Sequence, residues 1–222
     1  MEAVHEPQSS IRHLHLVIPI KDLARAKSRL AEILPPDARR TLVLEMLRRV
    51  LATLLPGREH HGTVAPAGTH QVRPDIECVW IMSADPTILA LTTELGARPL
   101  PDPTADLNAA LEWARTVVTA AGADALLIIP ADVPRITPAD LAGLTASLQA
   151  GSALVIAPDR AGSGTNALGL RLPSPLPFQF GPDSFAHHLE TARRLGLTTR
   201  IYASPTLALD VDTPEDFTQY RT

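Results

Sequence analysis

Along most of the 222 residues, short apolar runs of strand length alternate with longer stretches whose apolar positions recur at helical spacing. That alternation is the signature of a mostly parallel sheet covered by helices. The runs LHLVIPI (14–20), CVWIMS (78–83), ALLIIP (125–130) and ALVIAP (153–158) read as buried strands. Residues 37–55, 86–95, 106–121 and 138–150 read as helices, several opened by Asp, Thr or Pro in capping positions.

The last third changes character. TNALGLRL (165–172) reads as a further strand and SFAHHLETARRLG (184–196) as a helix ended by Gly196. TTRIYA (198–203) and TLALDVD (206–212) read as two late strands, so a mixed C-terminal sheet edge is expected. Between 57 and 75, GREHHGTVAPAGTHQVRPD lacks any apolar period and is rich in Gly, Pro and His, which predicts a long surface loop. His60, His61 and His70 lie in it, but with no strand or helix to fix their geometry a solvated loop is a better account than a metal site. The chain shows no internal repeat.

Composition narrows the function classes. A formal charge of -4 offers no basic footprint, so nucleic acid is excluded as a partner. The length suits one sizeable α/β domain, with residues 1–11 as an N-terminal extension. No run approaches the roughly 18 apolar residues of a membrane span, and MEAVHEPQSS lacks the basic and apolar regions of a leader. A cytoplasmic location without membrane contact is therefore expected. The single cysteine, Cys78, sits in CVWIM and reads as a small buried side chain, which excludes a disulfide within one chain.

In an open parallel sheet, ligands collect beyond the carboxyl ends of the strands, and four places there carry unusual chemistry. PIKDLARAKSRL (19–30) follows the first strand and brings Lys21, Arg25, Lys27 and Arg29 together. Such cations suit a polyphosphate, although the string alone also describes a solvated helix face. ADVP (131–134) puts Asp132 at the end of a central strand, as a helix cap or a metal ligand; Thr137 is the natural cap of the next helix.

LALDVDTPEDF (207–217) carries Asp210 and Asp212, which share a face in an extended segment and repel unless a cation lies between them. Magnesium, held by few carboxylates and sharing ligands with substrate phosphates, suits Asp132, Asp210 and Asp212. Two turn aspartates before a helix capped by Thr213 and started by Pro214 are the alternative. Finally, Gly162, Gly164 and Thr165 form a loop, and Gly181, Pro182, Asp183 and Ser184 open a helix; both features attract anions, and both are common.

These strings together resemble the family of 2-phospholactate and phosphoenolpyruvate guanylyltransferases of coenzyme F420 biosynthesis. The resemblance runs nearly end to end through PIKDLARAKSRL, DLNAAL (106–111), PADVP (130–134), APDRAGSGTNAL (157–168), FGPDSFAHHL (180–189) and LDVDTPEDF (209–217), in family order. It implies an α/β, nucleotide-diphospho-sugar transferase-like (Rossmann-like) fold, a mostly parallel sheet with helices on both faces. The glycine-rich LxGGxSxRMG loop of the related molybdenum-cofactor guanylyltransferases is replaced here by PIKDLARAKSRL. The 57–75 loop is longer than the family requires, and residues 1–11 have no counterpart of known role.

Carried across position by position, the resemblance implies that Asp132, Asp210 and Asp212 hold Mg2+. Thr165, Gly181 and Ser184 would hold the phosphorylated acid. Lys21, Lys27 and Arg29 would face the triphosphate, with Lys21, Lys27 and Asp132 as the catalytic groups. Asp106 and Asn108 of DLNAAL would lie on the nucleotide side, Asn108 against the nucleoside. GTP and phosphoenolpyruvate, or 2-phospho-L-lactate, would be the substrates, with the labile product handed to the next enzyme.

The chemistry is self-consistent. A phosphate monoester with its second pKa near roughly 6 is largely dianionic at neutral pH and needs no general base. His187 and His188, past the first turn of their helix, accordingly read as surface or packing residues. The alternatives are 3-phosphoglycerate as acceptor, another nucleotidyltransferase or glycosyltransferase of the same fold, and a noncatalytic nucleotide-binding protein.

Overall fold

A computed structural model describes residues 10–23, 26–55, 76–104 and 106–222. Arg25, the loop histidines His60, His61 and His70, and most of the N-terminal extension lie outside the described residues.

The chain runs β1 (Leu14–Pro19), α1 (Pro36–Leu54), β2 (Cys78–Ser83), α2 (Pro86–Glu94), β3 (Arg98–Pro101), α3 (Leu107–Ala120) and β4 (Ala125–Ile128). It continues through α4 (Pro138–Gln149), β5 (Leu154–Pro158), β6 (Thr165–Arg171), α5 (Ser184–Arg194), β7 (Thr199–Ile201) and α6 (Pro214–Arg221). The helix starts follow the capping chemistry: Thr137 and Thr213 each complete a capping box with an aspartate three residues on, and Asp85 and Asp106 accept from backbone N–H groups of the first turn.

The strands form one sheet in the order β3-β2-β1-β4-β6-β5-β7. β1 pairs in parallel with both β2 and β4, β2 with β3, and β5 with β7. β6 alone runs against its neighbours, β4 and β5, which gives the C-terminal half its mixed character. β3 carries two prolines and gave no apolar signal; as an edge strand it tolerates the missing N–H donors.

Alternate strand residues feed two cores, which explains the continuous apolar runs. Leu16, Ile18, Val79, Ile81, Leu127 and Val155 pack with the apolar faces of α1 and α4. Val17, Trp80, Met82, Leu126, Ile128 and Ile156 pack with α3 on the opposite face. Cys78 is buried among the latter, and burial pushes its thiol up to about 11, so it is an inert packing group. Among the described residues, no helix is long and apolar enough to cross a membrane.

One expected strand does not form. Residues 205–208 make a turn, closed by Ala208 N–H donating to the Ser204 carbonyl at 2.9 Å, and residues 209–212 pair with no strand; Leu207, Leu209 and Val211 are buried and the positions between them are less so. The period-two pattern is real, but it comes from a turn and the unpaired residues after it, tied to the sheet by bonds such as that from Val211 N–H to the Asp132 carbonyl at 3.0 Å.

Candidate active site

β1 connects toward one side of the sheet and β4 enters on the other, so the crevice beyond their carboxyl ends is the topological switch point. The segment after β1 turns there, anchored by Leu23 N–H donating to the Asp85 carboxylate at 3.2 Å. It then places Lys27 in a left-handed conformation, φ 52°, ahead of a single 3-10 turn at Ser28–Leu30. A lysine held in that region costs roughly 1 kcal/mol and needs a compensating contact.

The contact is electrostatic. Lys27 Nζ lies 2.7 Å from Asp132 Oδ2 and 2.6 Å from Asp212 Oδ1, with the lysine side chain 8% exposed. Burial works against its charge, yet Asp132 and Asp212 outweigh that and hold its pKa above the ordinary value. Arg29 reaches the same aspartate from the surface, with Nη1 3.9 Å from Asp212 Oδ2. Lys21 is exposed just past β1 and makes no ion pair among the described residues.

Asp210 sits beside this cluster without a cation. Burial, and then the charge of Asp132, push its carboxyl up to about 6; Asn166 Nδ2 at 3.4 Å offsets this only in part. Asn166 also donates to the Leu207 carbonyl at 2.9 Å, fixing the segment that carries the aspartates. Asp132, Asp210 and Asp212 therefore lie along one rim. The cation between Asp132 and Asp212 is a lysine of the chain itself. Among the described residues no three acidic or histidine side chains are arranged to enclose an ion. The arrangement fits an ion that takes one or two carboxylates and completes its shell with water and phosphate oxygens, which is the habit of magnesium.

β6 contributes because it is antiparallel: its first residues lie at the rim where β4 and β5 end, with Thr165 opposite Pro158 across a bulge. Ser184 Oγ donates to Thr165 Oγ1 at 3.0 Å, and both residues are buried. Gly181 takes φ 133°, which admits only glycine readily, and Asp183 takes φ 53° before α5. Asp183 makes no side-chain capping bond, so the α5 N-terminus is closed by backbone alone, Phe185 N–H donating to the Ser163 carbonyl at 3.0 Å.

α3 holds the approach to this turn. Asn108 Nδ2 donates to the Phe180 carbonyl at 3.0 Å while its Oδ1 accepts from Phe180 N–H at 2.7 Å. Glu112 accepts from Phe178 N–H, and Arg115 donates to the carbonyls of Ser174 and Leu176. Spaced by three and four, these side chains serve the extended segment as a neighbouring strand would. Asn108 thus shows a role in fixing the turn before α5, where contact with the nucleoside was expected; Asp106 shows that of a helix cap.

The chain is similar to known proteins over most of its length. Residues 69–220 match the family model described as guanylyl transferase CofC like. The chain belongs to that family. A phosphoenolpyruvate guanylyltransferase of Chloroflexus aggregans is 44% identical over 205 residues, covering 92% of this chain and 95% of that one. The corresponding Rubrobacter xylanophilus protein is 44% identical, covering 90% and 89%. A 2-phospho-L-lactate guanylyltransferase of Methanocaldococcus infernus is 32% identical, covering 91% and 82%.

Among solved structures, this CofC-like chain is similar in fold to a nucleotide-diphospho-sugar transferase described as such from Desulfovibrio desulfuricans, with TM-score 0.69, 17% identity and coverage of 95% and 86%. A Methanothermobacter nucleotidyl transferase gives TM-score 0.61 at 18% identity, covering 94% and 95%. The nucleotide-diphospho-sugar transferase-like fold is thereby established. The residues that sequence reasoning passed over in this family member are the supports: Asp85, Asn166, Glu112 and Arg115. A polar residue inside an apolar strand run, as at Asn166, was the one signal that could have singled any of them out.

Proposed function

We propose that the protein transfers GMP from GTP to phosphoenolpyruvate, releasing pyrophosphate, as a guanylyltransferase of coenzyme F420 biosynthesis. The observation that carries the reading is the pairing of Lys27 with Asp132 and Asp212 at the switch point of a chain whose family members are named for this reaction. Phosphoenolpyruvate is preferred to 2-phospho-L-lactate because the more similar relatives bear the former name. A cytoplasmic setting and transfer of the labile product to a following enzyme belong to the same proposal.

The chemistry follows from charge. The acceptor's phosphate oxygen attacks the α-phosphorus of GTP in line and pyrophosphate leaves, so the site must bring two polyanions together and hold them aligned. Lys27 lies ready to exchange a carboxylate for a phosphate oxygen, with Lys21 and Arg29 at the open side of the same turn. Asp132 and Asp212, with Asp210 beside them, would supply the one or two carboxylates that hold Mg2+, which when bound supplies neutralisation of the reacting phosphates. Thr165, Gly181 and Ser184 would seat the acid at the start of α5, where backbone N–H groups and the helix dipole favour an anion.

The decisive assay supplies the purified protein with GTP, Mg2+ and each phospho-acid in turn, 3-phosphoglycerate included, and follows pyrophosphate and product mass. Phosphoenolpyruvate should be the best acceptor; no release with any of them by folded protein would end the reading. Asp132→Asn should lower turnover by at least about 100-fold without loss of the fold, since its side chain is partly exposed at the rim. Near-normal pyrophosphate release by the folded variant would contradict the assignment.

A further inference from the structure

His188 lies at the second turn of α5, 0% exposed, and has no place in the charge-based chemistry above. Gln179 N–H donates to its Nε2 at 2.9 Å. A backbone N–H can only donate, so Nε2 presents its lone pair and the ring proton sits on Nδ1. Burial holds the ring's pKa down at about 4, which keeps it neutral, and the Ser184 backbone one turn earlier favours a donating ring. Nδ1 lies 3.4 Å from Thr165 Oγ1.

Thr165 Oγ1 also receives the Ser184 hydroxyl at 3.0 Å. The Ser184 hydroxyl and the Nδ1 proton, which the Ser184 carbonyl one turn earlier shares, therefore face the two lone pairs of this oxygen, and its own proton is the donor left to find a partner. Thr165 is only 6% exposed, so bulk water is a poor candidate. Around the ring stand Ser184, His187 and Thr191 from α5, Thr165 from β6, and Gln179 with the Phe180 ring, edge-on at 5.2 Å, from the segment that α3 holds. None of these except the exposed His187 can carry a charge near neutrality, so no ion pair competes with the Gln179 contact in choosing the tautomer.

We infer that His188, held as the Nδ1–H tautomer by Gln179, is a positioning residue that commits the Thr165 hydroxyl to donate its proton to an oxygen of the acid substrate. A phosphate or carboxylate oxygen only accepts, so a threonine with both lone pairs occupied is matched to an anion and mismatched to a hydroxyl or amide donor. The inference rests on the reading of Thr165 and Ser184 as the acid's seat.

Two measurements test it. In the wild-type protein, long-range 1H–15N correlation of the His188 ring should show a proton on Nδ1 and a bare Nε2; an Nε2–H tautomer overturns the inference without any variant. Kinetically, His188→Gln keeps an acceptor for Gln179 N–H but loses the donor toward Thr165, and should raise KM for phosphoenolpyruvate about tenfold with KM for GTP within about twofold. His188→Asn, which can return a donor near the Nδ1 position, should recover most of that loss, though with a lower Tm. Equal rises for both substrates, or no recovery in the Asn variant, mean a packing role and overturn it. If Thr165→Val and Ser184→Ala raise the acceptor KM while His188→Gln does not, the inference fails and the acid's seat stands. If Thr165→Val leaves the acceptor KM unchanged, the seat itself is misassigned and the inference falls with it.

Discussion

Lys27 and Asp210 share one rim and differ in how their charge is satisfied. Lys27 is buried but flanked by two carboxylates, so its charge is maintained. Asp210 is half-buried near another carboxylate with only an amide beside it, and its pKa is pushed up to about 6. A group so placed is a cost to the fold, of the kind retained where function needs it. Asp210→Asn removes the charge and keeps the shape. We expect it to raise Tm in metal-free buffer by a few degrees, roughly 1 kcal/mol of relief, while turnover collapses. A variant with unchanged or lower Tm would show that the carboxylate is better solvated than its surroundings indicate.

At the scale of elements, the site depends on how α3 and β6 are used. Asn108, Glu112 and Arg115 line one helix face and hold residues 174–180 by their backbone, so the turn before α5 is fixed from outside the sheet. Asn108→Asp keeps the acceptor for Phe180 N–H but sets a carboxylate oxygen against the Phe180 carbonyl. It should cost about 1–3 kcal/mol in urea unfolding and raise the acceptor KM more than the GTP KM. A GTP-selective loss would place Asn108 on the nucleoside after all.

These supports could not be read from the sequence, because Asn108 and Phe180 lie far apart in the chain and meet only through the packing of α3 on β4 and β6. The strand and helix runs themselves were legible, since both sheet faces are buried and each strand stays apolar throughout. Residues 206–212 misled for a physical reason: alternate burial needs no partner strand, and here it arises from a turn through Leu207 followed by unpaired residues.

For the whole molecule, His188 and Asp210 pull acid stability in opposite directions. Unfolded, the His188 ring has its ordinary pKa of 6.5, and folded, burial pushes it down to about 4. Between those values the unfolded chain binds the extra proton, so its contribution, full above 6.5, is lost as pH falls toward 4. Asp210 is pushed up to about 6 in the folded chain from an ordinary value of 3.8, so between these the folded chain binds the extra proton and stability rises as pH falls. Wild-type stability between pH 4 and 6 should therefore depend on pH less steeply than that of Asp210→Asn, by up to about 1.4 kcal/mol per pH unit. Urea unfolding of both proteins across that window measures the difference, and parallel curves would contradict the Asp210 shift.

The layered architecture, the caps that start the helices, and the order in which acids and lysines follow the strands were all legible along the chain, because apolar period and capping chemistry are local. The chain also carried the family resemblance, through motifs in order. That Lys27 takes the space between Asp132 and Asp212, that Asn108 serves a backbone segment, and that His188 reaches Thr165 emerge from the folded arrangement alone. Each of those is a contact between distant parts of the chain, set by strand order and by the reversed direction of β6, and no spacing along a single segment encodes it.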